Sequence, residues 1–475
     1  MKKIKSIHFV GVKGVGMTPL AIIAKQAGIV VTGCDIGEEF ITDEPLRKAG
    51  ISPIADFSPS HIENVAMVIT TGAHGGFDNP EVKAAKEKGI QVFTQGEATG
   101  LFMKGEFFGK KYEGISVAGS HGKTTTTAMI ATILTHAGMD PSYVIGTSMI
   151  PSLKGPGHFG KGEYFIAEAD EYATEPVYDK TPKFLWQHPK IAVFTNIELD
   201  HPDLFESVEA IRYAFLQFAQ SISEDGVLII CGDDEQNREL LKEYKGKVIT
   251  YGYSKNNMFT IKKVYSSDSQ TFFWVEMGGA ALGEFAINVS GEYNALNALG
   301  AIITALQCGL TVDSIRKALP TLSGSKRRFE YKGVLQSGAL LFDDYAHHPT
   351  EIKKTLAAFS KAYPNKKIVC IFQPHTYSRT KKLFEQFIRS FNDADEVILA
   401  KIYPSLREEP DPTVSSELLV SHIAKRQMVT FLPTLPDVVE YIGKKNYNDK
   451  VIVVTMGAGD IYKIHDTLSF SNKSI

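Results

Sequence analysis

Cysteine is scarce and scattered: four residues, Cys34, Cys231, Cys308 and Cys370, lie far apart in a chain of 475, with no CxxC spacing. That argues against a disulfide framework or a cysteine-based zinc cluster. It fits buried thiols in a reducing compartment, so a cytoplasmic protein is expected. Neither sign of charge is in excess, 51 Lys and Arg standing against 54 Asp and Glu for a net charge of −3. A nucleic-acid or anionic-membrane surface needs a basic field that this chain does not have, and small molecules are the expected partners. Long apolar runs are missing too. The opening MKKIKSIHFVGVKG starts basic, but glycines interrupt its apolar stretch, so neither a signal peptide nor a membrane helix is read there. No low-complexity tract is present. What is there is an ordinary globular composition, 43% hydrophobic and 22% charged, which excludes disorder and coiled coil. At roughly 100–200 residues per domain, the length suggests about three domains.

The pattern along the chain is α/β throughout. A strand over 6–10 meets Gly11, a helix over 17–27 stops at Gly28, and a second strand follows at 29–32, which is a βαβ opening. Strand-like runs at 66–70 and 91–94 continue the alternation, and the charge- and glycine-rich segment 104–114 reads as a linker. A second unit begins with a strand at 115–118, a glycine loop and a helix over 123–137. Strands at 164–167 and 191–195 follow, then short alternating strands over 248–289 and a helix over 293–308. A third block opens near Gly324, with strands at 339–342, 367–372, 396–400 and 451–455. The expected architecture is three doubly wound units: a Rossmann-like domain over 1–110, a P-loop-type central ATPase domain over 111–322 and a Rossmann-like domain over 323–475.

The strongest motif is Gly119-Ser-His-Gly-Lys-Thr-Thr-Thr-Thr127, set between a strand and a helix. There, backbone N–H groups and the helix N-terminus can cradle phosphates. Gly119, Ser120, His121 and Gly122 form the turn, Lys123 would neutralise β and γ phosphates, and Thr124 offers a hydroxyl to Mg²⁺, with Thr125 beside it. Val117 occupies the position of the first glycine of a full P-loop, so this is a shortened variant. Glu168, Asp170 and Glu171 follow one strand; Asn196, Glu198, Asp200 and His201 follow another. Carboxyl ends of strands are where open α/β sheets present ligands, and one of the carboxylates can hold the metal. Mg²⁺ prefers oxygen, which makes His201 the less usual ligand. The first loop, Gly11-Val-Lys-Gly-Val-Gly16 followed by Met17, has GxxGxG spacing, with Asp35 at the end of the second strand. It suits a nucleotide diphosphate other than a nicotinamide one, or a plain structural turn. In the third block, Asp343-Asp-Tyr-Ala-His-His-Pro349 and Gln373-Pro-His-Thr-Tyr-Ser-Arg-Thr380 both follow strands. Loops of this composition can bind a ribose, or a substrate carboxylate through Arg379. Lys326-Arg-Arg-Phe329 reads either as a guanidinium for a transferring phosphate or as a solvated basic run.

Taken in order, HFVGVKGVGM, GSHGKTTTT, EADE, TNIELDH, SGEYNALNA, KRRFE, DDYAHHPTE, FQPHTYSRT and VTMGAGD resemble the Mur ligase family across essentially the whole chain. The resemblance implies a three-domain enzyme of peptidoglycan synthesis. Such an enzyme uses ATP and Mg²⁺ to join an amino acid to the lactyl carboxylate of a UDP-linked sugar. UDP-N-acetylmuramate and L-alanine are the substrates it points to, and neither a nucleic acid nor a membrane is an expected partner. A monomer or a homodimer is expected. By the same likeness Gly11, Gly14, Gly16, Met17 and Asp35 belong to the UDP-sugar site. Lys123 and Thr124 hold the ATP phosphates and the metal, Glu168 and His201 are metal ligands, and Asn294, Arg328 and Asp344 contact the nucleotide. Tyr345, His347 and Arg379 face the amino acid, Lys123, Arg328 and His347 being the catalytic candidates. Thr71-Gly-Ala-His74 replaces a customary pair of serines, Tyr293 replaces a customary histidine, and Thr376 stands where many relatives have arginine. The stretch 172–190 looks like the ligase that recycles L-alanyl-γ-D-glutamyl-meso-diaminopimelate, which leaves that tripeptide as the alternative acceptor. A nicotinamide oxidoreductase built on Gly11–Asp35 leaves GSHGKTTTT unexplained. A P-loop regulatory ATPase predicts ATP hydrolysis without sugar or amino acid.

Overall fold

The computed structural model describes residues 4–267, 270–289, 291–322, 324, 326–404, 408–423 and 428–471. The described residues fall into two compact units, one drawn from 4–199, 204–288 and 294–324 and the other from 200–203, 289–293 and 326–471.

The first unit begins with a four-stranded, all-parallel sheet in the order Val30–Cys34, Ser6–Val10, Met67–Thr70, Gln91–Thr94. Ser6–Val10 is flanked by strands that follow it in opposite directions, so the turn after Val10 opens at the switch point where such sheets take ligands. Alternation along this strand splits the core. Ile7 and Phe9 join Leu20, Ile22 and Ile23 on one face, and Val10 joins Val68 and Val82 on the other. The first of these cores continues into Val144, Phe165 and Ala167, which lie in the following sheet.

His8, on the Val10 face, is fully buried and carries a polar network. The Glu81 carboxylate meets His8 Nε2 at 3.0 Å, His61 Nδ1 at 2.7 Å and the Cys34 thiol at 2.9 Å, and accepts the Ser58 N–H at 2.9 Å. His8 Nδ1 meets Thr32 Oγ1 at 2.8 Å. The donors and acceptors satisfy one another, as buried polar groups must. All four cysteines are buried and unbridged, as their spacing suggested.

The rest of the first unit is a ten-stranded sheet. Glu113–Ala118 lies between Tyr164–Ala169 and Ile191–Phe194, all parallel, and Val227–Cys231 and Val248–Gly252 extend the parallel run. From Phe259 the chain turns into an antiparallel meander, Phe259–Ser267, Gln270–Met277 and Ala280–Ile287, added to that edge. The central sheet is therefore mixed, not doubly wound throughout, because its last strands alternate apolar and polar residues and bury only one face. A separate two-stranded hairpin, Ala173–Glu175 with Asp179–Pro182, follows Tyr164–Ala169.

The second unit is a six-stranded sheet in the order Glu330–Val334, Leu340–Asp344, Val451–Met456, Lys367–Phe372, Glu396–Leu399, Met428–Phe431, antiparallel only at its first strand. Cores cover both faces: Phe342, Cys370 and Phe372 pack with Leu356 and Phe359, while Leu341, Val369 and Val453 pack with Val438 and Ile442. Among the described residues no helix is long and apolar enough to cross a membrane.

Candidate active site

The phosphate loop is delivered by register. Ala118 pairs with both Ala169 and Phe194, so the segments leaving three adjacent strands arrive at one sheet edge. Gly119 and Gly122 both have positive φ, 140° and 84°. Any side chain there would also collide, at Gly119 with Thr195 Oγ1 and at Gly122 with Asn297 Oδ1. Only glycine fits both the turn and the space. The loop is stitched to the neighbouring strand end: Thr195 Oγ1 donates to the His121 carbonyl at 2.6 Å, His121 N–H to Asn196 Oδ1 at 3.1 Å, and Ser120 N–H to the Asn196 carbonyl at 2.9 Å. Ser120 Oγ and Glu198 exchange two further bonds, and His121 Nε2 lies 3.5 Å from the Glu198 carboxylate.

The helix Lys123–His136 starts without a side-chain cap, and its first two residues face the acidic strand end. Lys123 Nζ donates to the Gly119 carbonyl at 2.6 Å and to both oxygens of the fully buried Glu171, at 2.7 and 3.0 Å. Thr124 Oγ1 lies 3.2 Å from Glu168 Oε2, whose other oxygen accepts the Gly146 N–H at 2.7 Å. Of the three carboxylates left open by the sequence, Glu168 is thus the one beside the threonine, Glu171 the one on the lysine, and Asp170 pairs with Lys183 at 3.1 Å. Asn294, buried, accepts from Asn297 Nδ2 at 3.2 Å, which ties it to the residue packed beneath Gly122.

In the first loop, Gly11 N–H donates to the Cys34 carbonyl at 2.9 Å and Gly14 N–H to the Gly11 carbonyl at 3.2 Å. Asp35 accepts the N–H groups of Lys13 and Ile36, each at 2.8 Å, and His74 Nε2 stands 3.3 Å from it. Gly16 lies against Gln95. Met17 turns its side chain into the core and gives its N–H to Gly14.

The second unit holds its candidates at the ends of Leu340–Asp344, Lys367–Phe372 and Val451–Met456, which are adjacent in the sheet. Asp344 accepts the N–H groups of Phe329 at 2.7 Å and Ala346 at 2.8 Å; burial nevertheless pushes its carboxyl up to about 6, against the pull of Arg328. His347 Nδ1 lies 3.0 Å from the Tyr345 carbonyl, and burial pulls the imidazole down to about 4, so it is neutral at pH 7. Donation from Nδ1 to that carbonyl leaves Nε2 as the basic nitrogen. Arg379 grips Asp200 through Nε at 2.9 Å and a terminal nitrogen at 2.7 Å, and meets His375 Nδ1 at 3.2 Å. Burial opposes charge on Asp200, but Arg379 and His201 outweigh it and hold the carboxyl well below the usual range. His201, at φ 55°, donates its N–H to Asp200 at 2.8 Å, so Asp200 and His201 cluster with this unit while Asn196 and Glu198 brace the phosphate loop.

Of the two adjacent arginines, Arg327 is the buried one. It pairs with Asp343 at 2.9 Å and donates to the Gly457 carbonyl at 2.7 Å, between the rings of Tyr345 and Tyr462. Arg328 stands 3.6 Å from Glu351 and 5.2 Å from the centre of the Tyr345 ring. Sequence reasoning had no signal for Glu408. Its carboxylate accepts the N–H groups of Tyr377 and Ser378 at 2.7 and 3.0 Å and the Ser378 hydroxyl, at the start of Tyr377–Lys382.

A shortened glycine–lysine turn between strand and helix, facing acidic strand ends, is the frame in which α/β enzymes take nucleotide phosphates, and comparison with known proteins gives the family. Residues 6–107 match the family description "Mur ligase family, catalytic domain", residues 117–305 "Mur ligase middle domain" and residues 327–459 "Mur ligase, glutamate ligase domain". The chain belongs to the Mur ligase family. It is 37% identical over 464 residues to UDP-N-acetylmuramate--L-alanine ligase of Desulfitobacterium hafniense, covering 97% of this chain and 99% of that one. It is 37% identical over 476 residues to the enzyme of the same name from Caldanaerobacter subterraneus, covering 100% and 99%. Among solved structures it is similar to UDP-N-acetylmuramate-alanine ligase MurC from Thermotoga maritima, with TM-score 0.79, 27% identity and 98% of each chain covered. The fold is also that of a murein peptide ligase from Psychrobacter arcticus, with TM-score 0.70, 24% identity and 98% of each chain covered.

Proposed function

We propose that this chain ligates L-alanine to the lactyl carboxylate of UDP-N-acetylmuramate at the expense of ATP, in the cytoplasm, as a step of peptidoglycan synthesis. One observation carries the reading: relatives named for that reaction align over 97% or more of the chain. The domains would be 1–110 for the UDP-sugar, 111–322 for ATP and 323–475 for nucleotide and amino acid.

A carboxylate and an amine do not condense unaided in water. The sugar carboxylate attacks the γ-phosphorus, the bond to the bridging oxygen of ADP breaks, and an acyl phosphate forms; the amine then adds to its carbonyl carbon and phosphate departs. Phosphoryl transfer asks for position and charge neutralisation, the roles proposed for Lys123 and Arg328. Thr124 Oγ1 and Glu168 Oε2 are hard oxygen donors 3.2 Å apart, a set that fits Mg²⁺. When bound, Mg²⁺ neutralises phosphate charge. The α-amino group has a reference pKa of about 7.7–8.0, so much of it is already unprotonated at neutral pH. Nε2 of His347 takes the proton released as the C–N bond forms. Tyr345 and Arg379 complete the amino-acid side, and Gly11, Gly14, Gly16, Met17 and Asp35 the UDP-sugar side.

The test is phosphate release with UDP-N-acetylmuramate and ATP, comparing L-alanine with the tripeptide and weighing the conjugate by mass spectrometry. Release that needs L-alanine supports the reading. Release that needs the tripeptide assigns the recycling ligase, which the stretch 172–190 resembles, and release that needs neither assigns a regulatory ATPase.

Two variants refine the chemistry. Glu168→Gln removes the charge beside Thr124 and is expected to raise the Mg²⁺ concentration for half-maximal phosphate release by about tenfold or more. For pH, the group that titrates near the working range is Asp344, at about 6, not His347, at about 4. Nucleotide affinity is therefore expected to fall as pH drops below about 6, when the Asp344 carboxylate is protonated. In Asp344→Asn that acid limb should vanish from a binding titration run between pH 5 and 8.

A further inference from the structure

The hairpin Ala173–Glu175 with Asp179–Pro182 lies between two places that the reaction must coordinate. One end leaves from Glu171, which holds Lys123. At the other end the Glu175 carboxylate is buried, accepts the N–H groups of Val177 and Tyr178 at 2.8 and 2.6 Å, and sits so close to Gly76 that any side chain there would strike it. Pro176 packs against Gly72, where a side chain would also collide. Tyr178 Oη donates to Asp78 at 2.6 Å and its ring stacks on Phe77, itself covered by Lys86.

These contacts all fall on segment 71–79 of the first sheet. Thr71 and His74 of that segment close over Gly11, and His74 Nε2 stands 3.3 Å from Asp35. A continuous line of packed groups thus runs from Gly11 and Asp35, through 71–78 and Glu175, to Glu171 and Lys123. The line has little slack. Strand Ala173–Glu175 is buried at every residue, Thr174 Oγ1 donates to the Thr181 carbonyl at 2.7 Å and accepts Trp186 Nε1 at 2.9 Å, and the Asp170 carbonyl accepts the Phe184 N–H at 3.0 Å. Glu175 is four steps along the chain from Glu171, at most about 14 Å when extended.

We propose that this hairpin is a strap linking the UDP-sugar loop to the phosphate lysine, with Glu175 and Glu171 as positioning residues, so that sugar nucleotide and ATP bind with positive cooperativity. A ligand seated on 11–17 and 71–76 fixes the strap, and the strap fixes Glu171 and with it the Lys123 ammonium. The second ligand then pays less of the ordering cost than the first, and by linkage the effect is the same in either order. The inference rests on the ligase reading in taking UDP-N-acetylmuramate as the ligand of the first loop.

The test is calorimetric titration of the full chain with a β,γ-imido analogue of ATP, with and without saturating UDP-N-acetylmuramate, in the parent and in Glu175→Ala, Glu175→Gln and Glu171→Gln. The parent should bind the analogue about tenfold more tightly when the sugar nucleotide is present. Glu175→Ala should still bind both ligands with a ratio near one, Glu171→Gln likewise, and the double variant no differently from either alone. Glu175→Gln keeps an acceptor oxygen and should keep most of the ratio, a rescue that loose packing would not show. If Glu175→Ala does not fold by circular dichroism, Tyr178→Phe, at a side chain 60% exposed, carries the test as a partial loss of the ratio. A parent ratio of one, or an undiminished ratio in Glu175→Ala, Glu171→Gln or Tyr178→Phe, overturns the strap while leaving the ligase reading intact. Failure of the parent to bind UDP-N-acetylmuramate at all overturns the ligase reading and the strap with it.

Discussion

Lys123→Ala is expected to lower phosphate release by about 10²–10³-fold or more, and to lower the unfolding midpoint as well, because a fully buried carboxylate loses its cation. The ammonium sits 2.6 Å from the Gly119 carbonyl, in a turn whose Ser120 and His121 N–H groups are already given to Asn196. Peptide groups have no net charge, and charge is what a transferring phosphoryl group asks to have neutralised. Removing Lys123 also leaves Glu171 buried without its cation, a negative charge facing an incoming polyphosphate. Both effects point the same way. Single-turnover measurement of ADP formation, with UDP-sugar and amino acid present, separates them: lost neutralisation lowers the rate at saturating ATP, and repulsion raises the ATP concentration needed. Arginine at this position keeps the charge but not the reach into the turn, and is expected to recover binding more than rate.

The second large effect falls on stability. Glu81→Ala is expected to lower the unfolding free energy by about 3–5 kcal/mol, because it strips the shared acceptor from His8, His61, Cys34 and the Ser58 N–H in one step, with His8 fully buried. Denaturant titration measures it. The pH dependence has a definite sign. Burial alone would raise the Glu81 carboxyl, but His8, Cys34 and Ser58 outweigh it and hold it below the ordinary value. A carboxyl depressed in the folded state contributes fully above the unfolded value of about 4.3 and loses that contribution as pH falls through the depressed one. The acid-side decline in stability of the parent is therefore expected to be steeper than that of Glu81→Gln below about pH 4.5.

Strand–loop–helix order made the glycine turn readable in advance: Gly119, Gly122, Lys123 and Thr124 lie between strand Glu113–Ala118 and helix Lys123–His136 as their spacing put them, since adjacent residues on one turn share a local geometry. The acidic cluster was readable only as a cluster. Whether Glu168 or Glu171 meets Thr124 depends on pairing across 44 residues, settled by the register of Glu113–Ala118 against Tyr164–Ala169. Lys326-Arg-Arg-Phe329 was ambiguous for a related reason. Left-handed backbone at Arg327 and Phe329, φ 61° and 50°, turns Arg327 inward onto Asp343, and nothing in a run of basic residues announces such a twist. Glu408 and Asn297 act through contacts made by the fold alone. The meander over 259–287 was legible as strands but not as an extension of the central sheet, since alternation reports a half-buried face without naming the neighbour.

The burial of every cysteine gives the molecule an internal set of reporters. Burial pushes Cys231 up to about 11 and Cys308 up to about 12, and raises Cys34 and Cys370 further, so the native protein presents almost no thiolate to an alkylating reagent. Labelling at each position then counts excursions in which its own neighbourhood opens: Cys34 for the first sheet, Cys231 and Cys308 for the central region, Cys370 for the last. Without an introduced probe, the chain can be timed part by part as it breathes, and a substrate that quiets one region will be seen slowing one thiol and not the others.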